Sequence, residues 1–221
     1  MSGKFKIRRM VEAARFPNVI EYTYFNESNR PAGRWHKEFF KNSNPIILEL
    51  ACGKGEYTNH LAKNNPDRNY IGVDVKGPRI WRGAKTALEN DLGNVRFLRI
   101  FIDHLQDYFG KDEVDEIWIT FPDPFKVKKS KWKKRLTSAK FLEIYRNVLK
   151  PGGLIHLKTD SETLFNYTLD VIREQQCSIV RRVDDVYRQA KDDELLSVKT
   201  HYEKIHLKKG KTIRYVVFRL V

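Results

Sequence analysis

Residues 46–63 read IILELACGKGEYTNHLAK, and this stretch decides the fold class. Its first five residues are an apolar run of β-strand length, and residues 56–63 have the composition of a helix. Between them lie Gly53 and Gly55, which allow a strand to turn sharply into a helix. A strand, a tight glycine turn and a helix in direct succession indicate the first half of a βαβ unit.

The same alternation continues through most of the chain. Strands are predicted at residues 70–74, 95–99, 115–120 and 154–158, and helices at 78–89, 138–149 and 162–174. The last third departs from this pattern, because it holds two further strand-like runs at 178–183 and 212–221. The sequence therefore predicts an α/β fold, a doubly wound and mostly parallel sheet with an antiparallel edge strand near the C-terminus.

The chain length indicates one main domain. With 221 residues, the chain is long enough for one well-buried core and short for two. Residues 1–44 are basic and aromatic without strand alternation, and they predict an extended arm followed by a helix over 35–40. Residues 45–221 are predicted to form the α/β domain.

Charge and cysteine content restrict the class of partner. A formal net charge of +14 indicates a polyanionic partner such as nucleic acid or an acidic membrane surface. No apolar run reaches the roughly 18 residues that a membrane span requires, and no signal-peptide core follows the first residues. Cys52 and Cys177 lie far apart without metal-ligand spacing, which favours a reducing compartment and argues against zinc. We therefore expect a cytoplasmic protein without a membrane contact or a bound metal.

The glycine turn has the features of a nucleoside-binding loop. A dinucleotide fingerprint would need glycine where this chain has Thr58, and no P-loop pattern precedes Lys54. The second predicted strand ends at Asp74, where an acid is suited to accept hydrogen bonds from a ribose diol. Together with Glu49 near the end of the first strand, a loop without a phosphate cradle favours S-adenosylmethionine, a nucleoside cofactor that has no phosphates. The alternative is a plain tight turn.

A second stretch combines a stiff acidic loop with a run of cations. Phe-Pro-Asp-Pro-Phe at 121–125 follows a predicted strand, and seven of the ten residues 126–135 are lysine or arginine. The two prolines restrict the backbone around Asp123 and bias Phe121 and Asp123 toward extended geometry. Because ligands bind beyond the carboxyl ends of parallel strands, this stretch predicts a site that orients one ligand and holds a polyanion. The alternative is a turn followed by a solvated charged loop.

Together these segments resemble the tRNA (guanine-N7)-methyltransferase family. Its members are class I S-adenosylmethionine-dependent enzymes that methylate a variable-loop guanosine, position 46 in tRNA numbering, to 7-methylguanosine. The similarity covers about residues 44–205 and rests on the combination of segments, since the glycine loop alone is generic. The segments are LELACGKG at 48–55, YIGVD at 70–74, FPDPF at 121–125, KKRL at 133–136, KTD at 158–160 and THYE at 200–203.

The resemblance implies a role for each matching residue. The acid matching Asp123 lies between cofactor and target base, so Asp123 is implied to be catalytic and also a cofactor contact. Asp160, Thr200 and Glu203 are implied to contact the substrate. The implied cofactor residues are Glu49, Ala51, Gly53, Gly55 and Asp74, and the implied RNA contacts are Lys129, Lys131, Lys133, Lys134 and Arg135.

The sequence departs from the family pattern around the cofactor. Ala51 stands where the family has glycine, and Phe125 stands where it has tryptophan. An Asp or Asn usually follows the third strand, but this chain has Phe101 there, with Asp103 two residues further on. We expect Phe101 to pack near the adenine and Asp103 to be a second cofactor candidate.

The predicted chemistry needs no general base, because guanine N7 carries a free lone pair. Positioning and electrostatics then supply catalysis. The carboxylates of Asp123 and Asp160 suit the N1–H and N2–H₂ donors of guanine and a cationic product. Asp160 has the alternative role of a helix cap. The basic loop is one residue longer than the family's, which leaves either Lys126 or Lys128 as the substrate lysine.

Other functions remain open from the sequence. An RNA-binding module without catalysis explains the charge but not the glycine loop, and a methyltransferase for a small molecule or protein leaves the cations without a role. A methyltransferase acting on another RNA is a further alternative, and Thr58 disfavours a nicotinamide dehydrogenase. We expect tRNA as the partner and a monomer or homodimer as the working state.

Overall fold

A computed structural model describes residues 3–21 and 30–221 of the chain. These residues form an eight-stranded sheet in the order β1-β4-β3-β2-β5-β6-β8-β7. Strands β1 to β6 pair in parallel, whereas β8 runs antiparallel to both β6 and β7. The strands are β1 Val19–Glu21, β2 Ile46–Leu50, β3 Asn69–Asp74, β4 Val95–Arg99, β5 Val114–Thr120, β6 Leu149–Thr159, β7 Ser178–Val183 and β8 Arg214–Arg219.

Helices cover both faces of the sheet. They are α1 Gly3–Ala13, α2 Glu56–Asn64, α3 Gly77–Glu89, α4 Ala139–Arg146, α5 Glu162–Glu174, α6 Val186–Gln189 and α7 His201–Lys208. Successive residues of β2 enter two separate apolar cores, Ile47 with side chains of α2 and α3, and Leu48 with side chains of α4 and α5. Because successive side chains of a strand point to opposite faces, the fold is the predicted doubly wound α/β class.

The predicted boundary between the helix 138–149 and the strand 154–158 is wrong, and the strand predicted over 212–221 is shorter, at Arg214–Arg219. The helix predicted over 138–149 ends at Arg146, and β6 begins three residues later. The Pro-Gly-Gly run at 151–153 therefore lies inside a strand instead of ending a helix. The β5–β6 register shifts between Val114 and Glu116, and this irregularity accommodates the extra residues.

The predicted extended arm is also wrong where the structure describes it. Residues 3–21 form α1 and β1, and β1 enlarges the sheet by pairing with β4. A strand of three residues is too short to show an alternating pattern, so β1 left no signal in the sequence. Residues 1, 2 and 22–29 of the predicted arm lie outside the described residues.

The short helix predicted over 35–40 is present and belongs to the core. It spans Trp35–Phe40, and Trp35 is fully buried. The indole Nε1–H of Trp35 donates to the carbonyl of Tyr108 over 2.7 Å, and its ring stacks on Phe109. A domain boundary at residue 44 stays a prediction. Among the described helices, none has both the length and the apolar character to cross a membrane.

Candidate active site

The loop 121–125 leaves the carboxyl end of β5 with strained backbone. Phe121 has φ 49° and Phe125 has φ 45°, which is left-handed geometry. The extended geometry predicted for Phe121 is therefore wrong. The following proline disfavours right-handed helical backbone, and the sharp turn out of β5 uses the left-handed region instead. Such geometry costs a residue with a side chain about 1–2 kcal/mol, so surrounding contacts must hold the loop in place.

Three hydrogen bonds hold this loop. The Phe121 amide donates to the carbonyl of Lys158 on β6 over 2.8 Å. The Phe125 amide donates to Oδ1 of Asp123 over 2.9 Å, which closes a turn within the loop. Nε–H of Arg135 donates to the carbonyl of Pro124, also over 2.9 Å. Asp123 is exposed on a loop that is tied to its surroundings at Phe121 and Pro124 and closed internally by the Phe125 amide.

Asp123 lies between two cavities that share the loop as a wall. We call the first, of about 650 Å³, the apolar cavity, because Ile100, Phe101, Leu136 and Phe141 line most of its far side. We call the second, of about 630 Å³, the polar cavity, because charged and polar side chains dominate its wall. The residues common to both are Ala51, Asp74, Val75, Pro122, Asp123 and Phe125.

The glycine turn and Asp74 form the wall opposite the loop. One carboxylate oxygen of Asp74 accepts from the Gly53 amide at 3.0 Å, and the other accepts from the Lys76 amide at 2.8 Å. Asp74 is buried but borders both cavities. Ala51 has φ 57°, so the position where the family has glycine does require left-handed backbone. Gly53 has φ 58° with open space around its Cα, which leaves room for a ligand to approach.

Gly55 has a packing role in this structure. A Cβ at this position would lie 2.5 Å from Cε1 of Phe97 on β4. Its φ of 63° also favours glycine. Gly55 is therefore required beneath the turn, against the sheet, and its placement does not support the cofactor contact that the resemblance implies.

Glu49 is buried beneath the polar cavity and bound on both carboxylate oxygens. Oε1 accepts from Oγ1 of Thr120 at 2.7 Å, while Oε2 accepts from the Thr58 amide at 2.9 Å and from the Thr58 hydroxyl. Burial raises the pKa of Glu49 from 4.5 to about 7, against these hydrogen bonds, which lower it. Glu49 joins β2, β5 and α2 directly under the site.

Phe101 and Asp103 lie on the far wall of the apolar cavity. Phe101 is 62% exposed, which is unusual for a large apolar residue and leaves it accessible to a ligand in this cavity. Asp103 forms an ion pair with Lys140 on α4. The geometry supports the prediction that Phe101 packs near an adenine, whereas the Asp103 carboxylate already has a partner.

Asp160 follows the end of β6 and faces the polar cavity. Its Oδ2 lies 2.5 Å from Nζ of Lys211 and 3.3 Å from Nδ1 of His206. Burial lowers the pKa of His206, and the neighbouring Asp160 carboxylate opposes that shift. The N-cap of α5 is Ser161, whose hydroxyl accepts from the Leu164 amide, so Asp160 is not the helix cap.

Thr200 lines the polar cavity, but Glu203 does not reach it. Thr200 is the N-cap of α7, and its hydroxyl accepts from the Glu203 amide at 3.2 Å. Glu203 is fully buried, with its carboxylate 2.8 Å from Nζ of Lys158 and 2.8 Å from the hydroxyl of Tyr187. The position of Glu203 therefore does not support its implied substrate contact, which stays a prediction. The buried ammonium of Lys158 on β6 neutralises the charge of the Glu203 carboxylate, and this ion pair holds α7 against the sheet.

The basic loop divides into surface lysines and one buried arginine. Lys126 borders the polar cavity and Lys128 lies on the exposed surface, which favours Lys126 as the substrate lysine. Arg135 is fully buried, so its position does not support the implied RNA contact, which stays a prediction. The exposed members of the loop are Lys129, Lys131, Lys133 and Lys134, of which the last two also border the apolar cavity.

Sequence reasoning missed Lys158, His206 and Lys211. Lys158 is a charged residue at the end of an apolar strand run, which signals a buried partner. His206 lies four residues after Tyr202 on α7, and this helical spacing places both on the polar-cavity side. Lys211 left no signal of its own among the many lysines. In the described ranges, no group of three His, Cys, Asp or Glu side chains is arranged to hold a metal.

Several solved structures with this fold are RNA methyltransferases. KamB, a 16S rRNA methyltransferase, aligns with a TM-score of 0.63 over 83% of this chain and 91% of its own, at 14% identity. A 30S ribosomal A1408 methyltransferase from an uncultured bacterium aligns with a TM-score of 0.61, over 89% of this chain and 95% of its own, at 14% identity. At this identity the similarity shows the fold alone, which is that of the class I methyltransferases.

Sequence comparison narrows this class to one family. A family profile described as a putative methyltransferase matches residues 43–216. The tRNA (guanine-N(7)-)-methyltransferase of Christiangramia forsetii is 46% identical, with both chains covered completely. The enzyme of the same name from Bacteroides thetaiotaomicron is 46% identical over 99% of this chain and 86% of its own. The chain therefore belongs to the tRNA (guanine-N7)-methyltransferase family.

Proposed function

We propose that the protein transfers the methyl group of S-adenosylmethionine to N7 of a guanosine in tRNA. The observation that carries this proposal is the position of Asp123, exposed on a fixed loop between the apolar and polar cavities. A group at that point touches whatever occupies either cavity. Transfer between two bound molecules requires such a meeting point, whereas a simple RNA-binding surface does not.

The apolar cavity fits the nucleoside part of the cofactor. Phe101 and Phe141 offer apolar walls for an adenine, and the Asp74 carboxylate borders the same space as a ribose acceptor. Ala51 borders the same cavity with left-handed backbone, and Gly53, with open space around its Cα, borders the adjoining polar cavity. When bound, S-adenosylmethionine supplies an electrophilic methyl group on a sulfonium. The residues around both cavities hold and orient the reactants.

The polar cavity fits a guanine that presents donors to carboxylates. N1–H and N2–H₂ of guanine are hydrogen-bond donors, and Asp123 and Asp160 border this cavity from neighbouring strands. N7 has a lone pair and needs no deprotonation, so positioning accounts for much of the catalysis. Methylation makes the purine ring cationic, and a nearby carboxylate stabilises that charge as it develops. His206, with its lowered pKa, is not needed as a base.

Surface lysines beside the site provide the attraction for a polyanion. Lys126 lies at the mouth of the polar cavity, and the turn Lys129–Lys134 carries further exposed lysines. Contacts to phosphates fix the position of an RNA without reading its sequence. We therefore assign the lysines to binding and the carboxylates to recognition of the base.

We further propose the variable-loop guanosine at position 46 as the target, the cytoplasm as the compartment, and a monomer or homodimer as the working state. Both cysteines, Cys52 and Cys177, are free thiols, which supports a reducing compartment. Light scattering of the purified protein, with and without tRNA, measures the working state. A tetramer or larger assembly would contradict it.

Mass analysis of nucleosides tests the proposed function. Unmodified tRNA is incubated with the protein and methyl-labelled S-adenosylmethionine, digested, and compared with a reaction that lacks the protein. We expect labelled 7-methylguanosine, and fragment mapping should locate it in the variable loop. Label in another nucleoside, or none above the control, would overturn the proposal. Ribosomal RNA as a second substrate distinguishes tRNA from other RNA.

A further inference from the structure

Arg135 is an unusual residue for the end of a lysine-rich surface loop. It is 0% exposed, although the neighbouring Lys133 and Lys134 are on the surface. Its guanidinium carbon lies 4.2 Å from the ring centre of Trp132 and 4.4 Å from that of Tyr167 on α5. A cation held against two aromatic rings is confined in position.

The hydrogen bonding of this guanidinium is specific. Nε–H donates to the carbonyl of Pro124 at 2.9 Å. Nη1 and Nη2 are buried, and neither has a hydrogen-bond partner among the residues that the structure describes. Among the described residues, the guanidinium therefore donates its hydrogen bond to the loop 121–125.

That loop is the strained element that carries Asp123. Its first and last residues, Phe121 and Phe125, have left-handed backbone, and strained backbone persists only where the surroundings fix it. The Phe121 amide ties one end of the loop to β6. The contact from Arg135 ties Pro124, directly after Asp123, to Tyr167 on α5 and to Trp132 on the turn Lys129–Lys134.

We propose that Arg135 is a positioning residue that holds Asp123 at the junction of the two cavities, and that it does not bind RNA. The planar guanidinium is suited to this task, because it packs against both rings, which meet edge-on, and still donates in its own plane. A lysine ammonium lacks both properties. We call the contacts that Arg135 makes with Pro124 and the two rings the clamp. The catalytic consequence of the clamp rests on the proposed methyl transfer, whereas the clamp itself is a property of the fold.

Two variants loosen the clamp from different sides. Arg135→Lys keeps the charge but removes the planar fork, and Tyr167→Leu keeps Arg135 but removes one ring. Hydrogen exchange of the peptide spanning 121–125 measures the loop without any reaction. We expect exchange about tenfold faster or more in both variants, with β2 unchanged. Unchanged exchange in a folded variant would overturn the clamp. If one variant does not fold, the other decides.

Kinetics then test the link to Asp123. With saturating tRNA, single-turnover methyl transfer by Arg135→Lys should fall about 10–100-fold, the effect of misplacing a catalytic group. In an Asp123→Asn background the same change should add little, because the group that Arg135 positions is already lost. If the rate of the double variant falls by the product of the two single-variant losses, Arg135 acts independently of Asp123, and the proposal is overturned.

Salt dependence separates positioning from RNA contact. Lys131 is an exposed cation on the same turn, and Lys131→Ala should flatten the log–log salt slope of tRNA binding by about one unit. Arg135→Lys keeps a charge, so Arg135→Gln is the matched variant, and its slope should equal the parent's. A slope flattened by about one unit would make Arg135 a phosphate contact. If the parent itself transfers no methyl group, the proposed function fails, and hydrogen exchange still decides the clamp.

Discussion

Glu49 should make the protein less stable as the pH rises through neutrality. Its folded-state pKa is about 7, against an ordinary value of 4.5. Between these two values the folded state binds a proton that the unfolded state has lost, so stability falls with rising pH. A pKa difference of one unit corresponds to about 1.4 kcal/mol. The raised pKa of Glu49 therefore lowers the free energy of unfolding by roughly 3 kcal/mol above pH 7, and this loss disappears below about pH 4.5.

Glu49→Gln isolates this effect. Glutamine resembles the protonated acid: its carbonyl can accept from Thr58, and its NH₂ can donate to the hydroxyl of Thr120 if that hydroxyl rotates. Urea unfolding of parent and variant from pH 5 to 8 gives the difference in unfolding free energy at each pH. We expect that difference to shift toward the variant by about 2–3 kcal/mol over this range. Glu89→Gln, at an exposed position, is the matched control and should track the parent.

A Glu49→Gln profile parallel to the parent's would refute this reasoning. It would mean that the carboxylate is solvated or paired well enough to ionise normally in the folded state. A variant that is uniformly less stable would show that the hydrogen bonds from Thr58 and Thr120 need a carboxylate, and that burial is not the dominant effect.

Three further predictions concern residues around the cavities. Asp74→Ala should weaken S-adenosylmethionine binding by about 1–3 kcal/mol in calorimetry with tRNA binding retained, and an unchanged cofactor affinity would contradict the ribose assignment. Changing Lys133 and Lys134 together to Ala should flatten the salt slope of tRNA binding by roughly 1–2 units, whereas an unchanged slope would make them solvated surface. Glu203→Ala should cost about 3–5 kcal/mol of unfolding free energy, because it leaves Lys158 buried without its anion, and replacing both by apolar residues should cost less. A stable Glu203→Ala protein with impaired methyl transfer would contradict this structural role and favour the implied substrate contact.

The sequence predicted the sheet because hydrophobic periodicity and glycine turns are local signals. Strands β2 and β4 and helix α5 lie at the predicted bounds. The short strand β1 gave no such signal, since three residues cannot show a period. The Pro-Gly-Gly run at 151–153 was misassigned because its accommodation depends on a bulge against β5, which is a tertiary contact.

The site was predicted in outline for a similar reason. Acids at strand ends, such as Asp74 and Asp123, follow from topology, because the carboxyl ends of parallel strands share one edge. The burial of Glu203 and Arg135 was not predictable, since charged residues are usually exposed and their partners lie elsewhere in the chain. Glu203 meets Lys158 across 45 residues, and Arg135, at the end of the basic loop, meets Tyr167 on α5.

The most direct test of the account is single-turnover methyl transfer by Asp123→Asn, measured with saturating tRNA and S-adenosylmethionine alongside the melting temperature. The amide keeps the size of the carboxylate and an acceptor for the Phe125 amide, so the loop should hold. We expect the rate to fall by about 10²–10³ while the melting temperature and tRNA affinity stay near the parent's. A variant that melts earlier but transfers methyl at the parental rate would contradict the account, because Asp123 would then serve only to pin its own loop.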